Sequence, residues 1–147
     1  MRRTLIMGLF LAAILLAAHR AQGDEFDVAA RSYGVPVKVL RAIAQVESRN
    51  KHQSLRKNKN GTYDFGIMQI NSTHWQVECR HLNVATVQGN VNCGALLLSV
   101  AYKHRLSDPN WPGRYHSKTP SRKSQYATLV RNILNPPRIE YTLYKTK

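Results

Sequence analysis

Acidic side chains are scarce in this 147-residue chain: eight Asp and Glu stand against 22 Lys and Arg, a formal charge of +14. That imbalance excludes a cationic partner and points to a polyanionic one: nucleic acid, an anionic membrane, or a polymer bearing carboxylates. Cysteine is scarcer still. Two residues, Cys79 and Cys93, rule out a disulfide-dense scaffold, and Cys79 with His81 lacks a normal zinc-ligand spacing, so no metal and no cofactor are expected. A membrane-length hydrophobic run is missing as well, since the apolar stretch Leu5 to Ala18 falls short of the roughly 18 residues that spanning a bilayer takes. Repeats and low-complexity segments are absent, and the chain is too short for two domains of ordinary size.

What the N-terminus does have is the layout of a secretory signal peptide: Arg2 and Arg3, the apolar run, then a small-residue site at Ala21-Gln22-Gly23. Residues 1–23 are therefore expected to be removed on export, leaving one domain over 24–135 and a basic tail over 136–147. All eight acids and most of the basic residues lie beyond residue 23, so the exported chain stays strongly cationic. Export argues against nucleic acid as the partner. In an oxidising compartment Cys79 and Cys93 are expected to pair, closing a loop worth about 3 kcal/mol by the chain-entropy account.

Helical signals dominate the domain. Phe26, Ala29, Ala30 and Tyr33 recur at helical spacing before Gly34; Pro36 then opens a second helix whose apolar face carries Val37, Leu40, Ile43, Ala44 and Glu47. Residues 50–60 are polar and rich in Lys and Asn, which predicts an exposed loop ending at the turn pair Asn60-Gly61. Thr62 to Asn71 alternates only in part, which fits a short hairpin or an irregular buried segment. A central helix is expected over 92–105 with Asn92 as its cap, then a short element at Trp111 to Tyr115, and a last helix from about Ser121 to a stop before Pro136. Trp75, Trp111 and Tyr102 suit either sugar stacking or the core, with the core the commoner fate.

The residue with the most pointed chemistry is Glu47. A carboxyl on the apolar side of a helix, near that helix's C-terminal end, is disfavoured as an anion by desolvation and by the helix dipole, and a raised pKa is what a general acid requires. Periodicity alone leaves a solvent-facing Glu47 paired with Arg49 or Lys51 equally open. The surrounding residues are more specific. Ala44-Gln45-Val46-Glu47-Ser48-Arg49-Asn50 is followed by Asp64-Phe65-Gly66-Ile67-Met68-Gln69-Ile70-Asn71. This pairing resembles the lytic transglycosylases of the soluble-transglycosylase, lysozyme-like superfamily, and within it the small secreted members associated with type III and type IV secretion, conjugation and pilus systems.

The resemblance, which runs from about Phe26 to Leu134, implies a mostly α, α+β lysozyme-like fold: a compact helical domain with a short irregular or hairpin segment beside the cleft. It implies Glu47 as catalytic acid/base and a peptidoglycan glycan strand as substrate, bound by Ser48, Gly66, Met68, Gln69, Asn71 and Tyr115. Tyr115 matches the tyrosine of the family's Tyr-Asn-Ala-Gly motif, with its hydroxyl expected near the catalytic carboxyl, but His116 and Ser117 replace the residues that follow. The segment around Asp64 is also similar to that of animal-type lysozymes, and Asp64 lies seventeen residues after Glu47. Two routes follow. A transglycosylase uses Glu47 alone and leaves an anhydro sugar; a lysozyme-type hydrolase adds Asp64 as second carboxylate. The resemblance further implies a monomer that is periplasmic or secreted, with components of an envelope-spanning apparatus as possible partners. A protein of another class, a non-catalytic cationic wall or membrane binder, would need no working Glu47.

Overall fold

A computed structural model describes residues 24–137. The expected signal peptide over 1–23 and the tail from residue 138 onward lie outside the described residues. The order of elements is α1 (Glu25–Tyr33), α2 (Val37–Ser48), β1 (Leu55–Lys57), β2 (Tyr63–Phe65), β3 (Ile70–Asn71), α3 (Ser72–Gln76), α4 (Val87–Tyr102), a 3-10 helix (Trp111–Tyr115) and α5 (Pro120–Leu134). This is the mostly helical, lysozyme-like architecture, with a three-stranded antiparallel sheet in the order β1-β2-β3.

Local chemistry explains the boundaries. The Asp24 carboxylate caps α1 by accepting from the amides of Phe26 and Asp27, and Gly34 ends the helix in the left-handed conformation that costs glycine least. Asp24 and Asp27 also clamp Arg41 of α2, fixing the first two helices against each other. The central helix starts five residues before its expected position: Thr86, not Asn92, is the cap, its hydroxyl accepting from the Gly89 amide. Gly89 and Asn90 disguise that first turn, but both are required by contacts. A Cβ on Gly89 would run into the Asn83 carbonyl. The expected loop over 50–60 likewise contains β1, whose three residues are all exposed and so show no hydrophobic alternation.

Leu40 and Ile43 of α2, Val91 and Leu98 of α4, Val130 of α5, and Met68 and Ile70 from the sheet region form the fully buried centre. α4 packs on α1, while α5 packs on the 3-10 helix and α2. Trp75 stacks on Phe65 and Trp111 meets Tyr102 edge-on, with Trp75, Trp111 and Tyr102 packed at the core margin. Cys79 and Cys93 form a disulfide that ties the segment after α3 to the first half of α4. Among the described residues no helix is long and apolar enough to cross a membrane.

Candidate active site

Glu47 is the penultimate residue of α2, and the backbone beyond it is unusual. Arg49 and Asn50 both take positive φ, 55° and 61°, in the region that L-residues avoid. Ser48 holds this turn in place: its buried hydroxyl donates to the Ile67 carbonyl at 2.8 Å and accepts from the Lys51 amide at 3.1 Å. Ser48 thus anchors the helix end to the segment 66–69 and leaves Glu47 facing the groove. Tyr126 of α5 donates its hydroxyl to Glu47 Oε1 at 2.6 Å. Burial pushes the Glu47 carboxyl up to about 7, against the opposing pull of the Tyr126 hydroxyl and the Arg56 charge.

Asp64 is treated differently, and the strand register shows why. Arg56 pairs with Asp64 across β1 and β2, and Asp64 with Asn71 across β2 and β3, so the three side chains share one rung and one face of the sheet. Arg56 donates to Oδ2 through Nε at 3.2 Å and Nη2 at 2.6 Å, and Asn71 donates to Oδ1 at 2.7 Å. Burial alone would raise the Asp64 pKa; the hydrogen bonds from Arg56, Asn71 and Asn58 outweigh it and hold the carboxyl below the usual range. Asn71 also caps α3, its carbonyl oxygen accepting from the Thr73 amide.

The two carboxyl groups line one cleft of about 410 Å3, together with Arg56, Gln69, Asn71, Tyr115, His116 and Arg122 among others. A second cavity of about 320 Å3 shares His74, Leu97, Tyr115 and His116 with it, so the groove continues past the carboxyl pair. Glu47, Asp64, Gln69, Asn71 and Tyr115 are therefore brought together on the groove surface. Ser48, Gly66 and Met68 are not: they lie beneath that surface. Met68 is fully buried, packed against Gly94 of α4, where a Cβ would meet the methionine side chain at 2.7 Å. Gly66 has φ 77°, and a Cβ there would strike Asn90 at 2.3–2.8 Å. The close approach that requires glycine is made by an asparagine of the protein.

Asn90 and Tyr126 are the residues that the sequence did not announce. Asn90, 2% exposed, accepts from the Met68 amide at 2.8 Å and donates to the carbonyls of Phe65 and Val84 at 3.0 and 3.2 Å. It holds the turn between β2 and β3 from below. A polar residue on the buried face of a helix is its only signal in the sequence. Tyr126 has still less, since a tyrosine four residues before Val130 reads as core. The hydroxyl that reaches Glu47 belongs to Tyr126; that of Tyr115 donates to the Met68 carbonyl at 2.9 Å. Among the described residues no group of three or more His, Cys, Asp or Glu could hold a metal ion.

A mostly helical domain whose groove carries one carboxyl raised by burial to about 7 and one held below the usual range has two carboxyls pushed apart in acidity, as glycosidic bond cleavage generally requires. Residues 24–112 match the Transglycosylase SLT domain, and the chain belongs to that family. It is similar to Protein IpgF of Shigella flexneri, 41% identical over 56 residues, 38% of this chain and 37% of the relative. It is also similar to the X polypeptide of Escherichia coli, 33% identical over 86 residues, 54% of this chain and 50% of the relative. Invasion protein IagB of Salmonella typhimurium is 38% identical over 60 residues, 41% of this chain and 38% of the relative. The aligned regions thus cover half or less of each of these relatives.

Proposed function

We propose that this protein is an exported peptidoglycan lytic transglycosylase that cleaves the β-1,4 bond between MurNAc and GlcNAc and leaves a 1,6-anhydro-MurNAc end. The observation that carries the reading is the unequal treatment of the two carboxyls. Glu47, pushed up to about 7, is still protonated in a large share of molecules at neutral pH and can give that proton to the glycosidic oxygen. The substrate's own N-acetyl group then assists at the anomeric carbon. With its pKa close to the working pH, the same Glu47, now ionised, can take the proton of the muramic 6-hydroxyl as that oxygen closes the anhydro ring. Asp64 has Arg56 on one oxygen and Asn71 on the other, which ties it to the sheet and weakens it as a nucleophile.

The lysozyme-type alternative draws on one observation of its own: Asp64 is ionised and lines the same cleft as Glu47. Mass analysis of the muropeptides released from purified sacculi separates the two. The transglycosylase gives ends one water lighter than the reducing ends a hydrolase gives, and reducing ends alone overturn the proposal.

The strongly basic chain suits a wall rich in stem-peptide carboxylates. A role in local wall opening for a secretion, conjugation or pilus apparatus, in the periplasm or outside the cell, is supported by the resemblance to small secreted transglycosylases and by the similarity to IpgF and the invasion protein IagB.

A further inference from the structure

The imidazole of His116 lies flat against the phenol ring of Tyr126, with ring centroids 4.9 Å apart and planes within 4° of parallel. That is the separation of an offset stack. Tyr126 is 5% exposed; His116 is exposed and lines both parts of the groove, so the imidazole covers the phenol on the side where substrate passes. The placement of His116 is fixed from several directions. Its neighbour Tyr115 is tied to the Met68 carbonyl, its own amide donates to Gly113, and Gly113 is pressed so closely on the Lys123 backbone of α5 that no Cβ would fit. The 3-10 helix and α5 are therefore packed tightly together, with His116 at the end of one and Tyr126 on the other.

We propose that His116 is a positioning residue: by stacking on Tyr126 it holds the phenol hydroxyl on Glu47 Oε1, and so orients the carboxyl toward the bond to be cut. The inference rests on the assignment of Glu47 as the acid. A phenol oxygen sits at the far end of its ring, so a small tilt of that ring moves the oxygen off the carboxyl, and misplacements on the order of 1 Å are costly to catalysis. In this role the flat ring matters and the imidazole nitrogens do not. The residue of the resembled motif at this position, asparagine, has no ring to stack.

Digestion of purified sacculi by six variants tests this, with cosedimentation measuring binding and thermal melting confirming the fold. His116→Ala is expected to lower the rate at saturating enzyme about fivefold, no further than Tyr126→Phe does by itself, while binding is retained. His116→Phe, which keeps a flat ring, is expected to restore the rate to within about 1.5-fold, and His116→Asn is not. In a Tyr126→Phe background, where there is no hydroxyl left to aim, His116→Ala is expected to cost less than about twofold. Recovery by Asn in preference to Phe would mean that His116 hydrogen-bonds to the substrate, and an equal loss in both backgrounds would mean that it does not act through Tyr126; either overturns the proposal. Glu47→Gln in the same assay separates the two levels: full activity there removes the assignment of the acid itself, whereas inactivity of Glu47→Gln beside an unimpaired His116→Ala removes only the role of His116.

Discussion

On the helical wall of the groove, Glu47 sits at the end of α2 with a phenol as its hydrogen-bond donor, and burial keeps it protonated to about 7. On the sheet wall, Asp64 is covered too, at 7% exposure, yet stays ionised because the register places a guanidinium and an amide on its own rung. Burial raises both carboxyls, Glu47 the more, and the walls differ further in the number of donors each backbone geometry can bring. A sheet delivers two neighbours to every side chain on a rung, one from each adjacent strand, whereas the C-terminal turn of a helix exposes carbonyl oxygens and offers its side chains no donors of its own. The division between acid and anion is written in secondary structure before any substrate arrives.

The largest expected effect comes from removing the acid. Glu47→Gln keeps shape and the bond from Tyr126 but has no proton to give, so sacculus digestion is expected to fall by roughly a thousandfold with binding retained. Stability should move the other way. A carboxyl whose pKa is raised on folding costs stability as pH climbs from the unfolded value through about 7, so the Gln variant is expected to melt higher than the parent at pH 8 and nearly level with it at pH 4. Parallel melts at the two pH values check this. Unchanged digestion would favour the cationic wall-binding alternative. Next in size is Asn90→Ala, which strands the Met68 amide and the Phe65 and Val84 carbonyls beneath the turn that joins the walls; a loss of about 2–4 kcal/mol is expected in denaturant titration, with activity falling in step. Asp64→Asn is smaller if Glu47 works alone: about a tenfold loss, against the near-complete loss expected of a nucleophile.

Much of the helical wall could be read from the residues. Period and helix stops placed α1, α2 and α5 within a residue or two, and the Glu-Ser pair singled out Glu47, which lines the groove. The sheet wall was less legible because its stability lies in pairing and not in pattern: Leu55, Arg56 and Lys57 are exposed, so no alternation marks β1, although Arg56 turns out to govern Asp64. Glycine misled twice. Gly89 hid the first turn of α4, and Gly66, expected among the substrate-binding residues, is instead the place where Asn90 comes closest. Residues distant in sequence carried no signal at all: Tyr126 stands 79 positions from Glu47, and only the packing of α5 on α2 makes them partners.

The smallest effect tests the helical wall most closely. Tyr126→Phe removes one oxygen and leaves the ring in its slot, so the fold should be unaffected. The hydroxyl donates to Glu47 and thereby favours the ionised form, which opposes the dominant effect of burial. Without it the carboxyl should hold its proton to higher pH. Because the acid works protonated, the falling limb of the rate against pH should shift upward, accompanied by a modest drop at the optimum from the loss of orientation. A limb that moves down instead would mean that the phenol matters chiefly by excluding water. The helical wall would then differ from the sheet wall only in dryness, and no longer in how it aims its carboxyl.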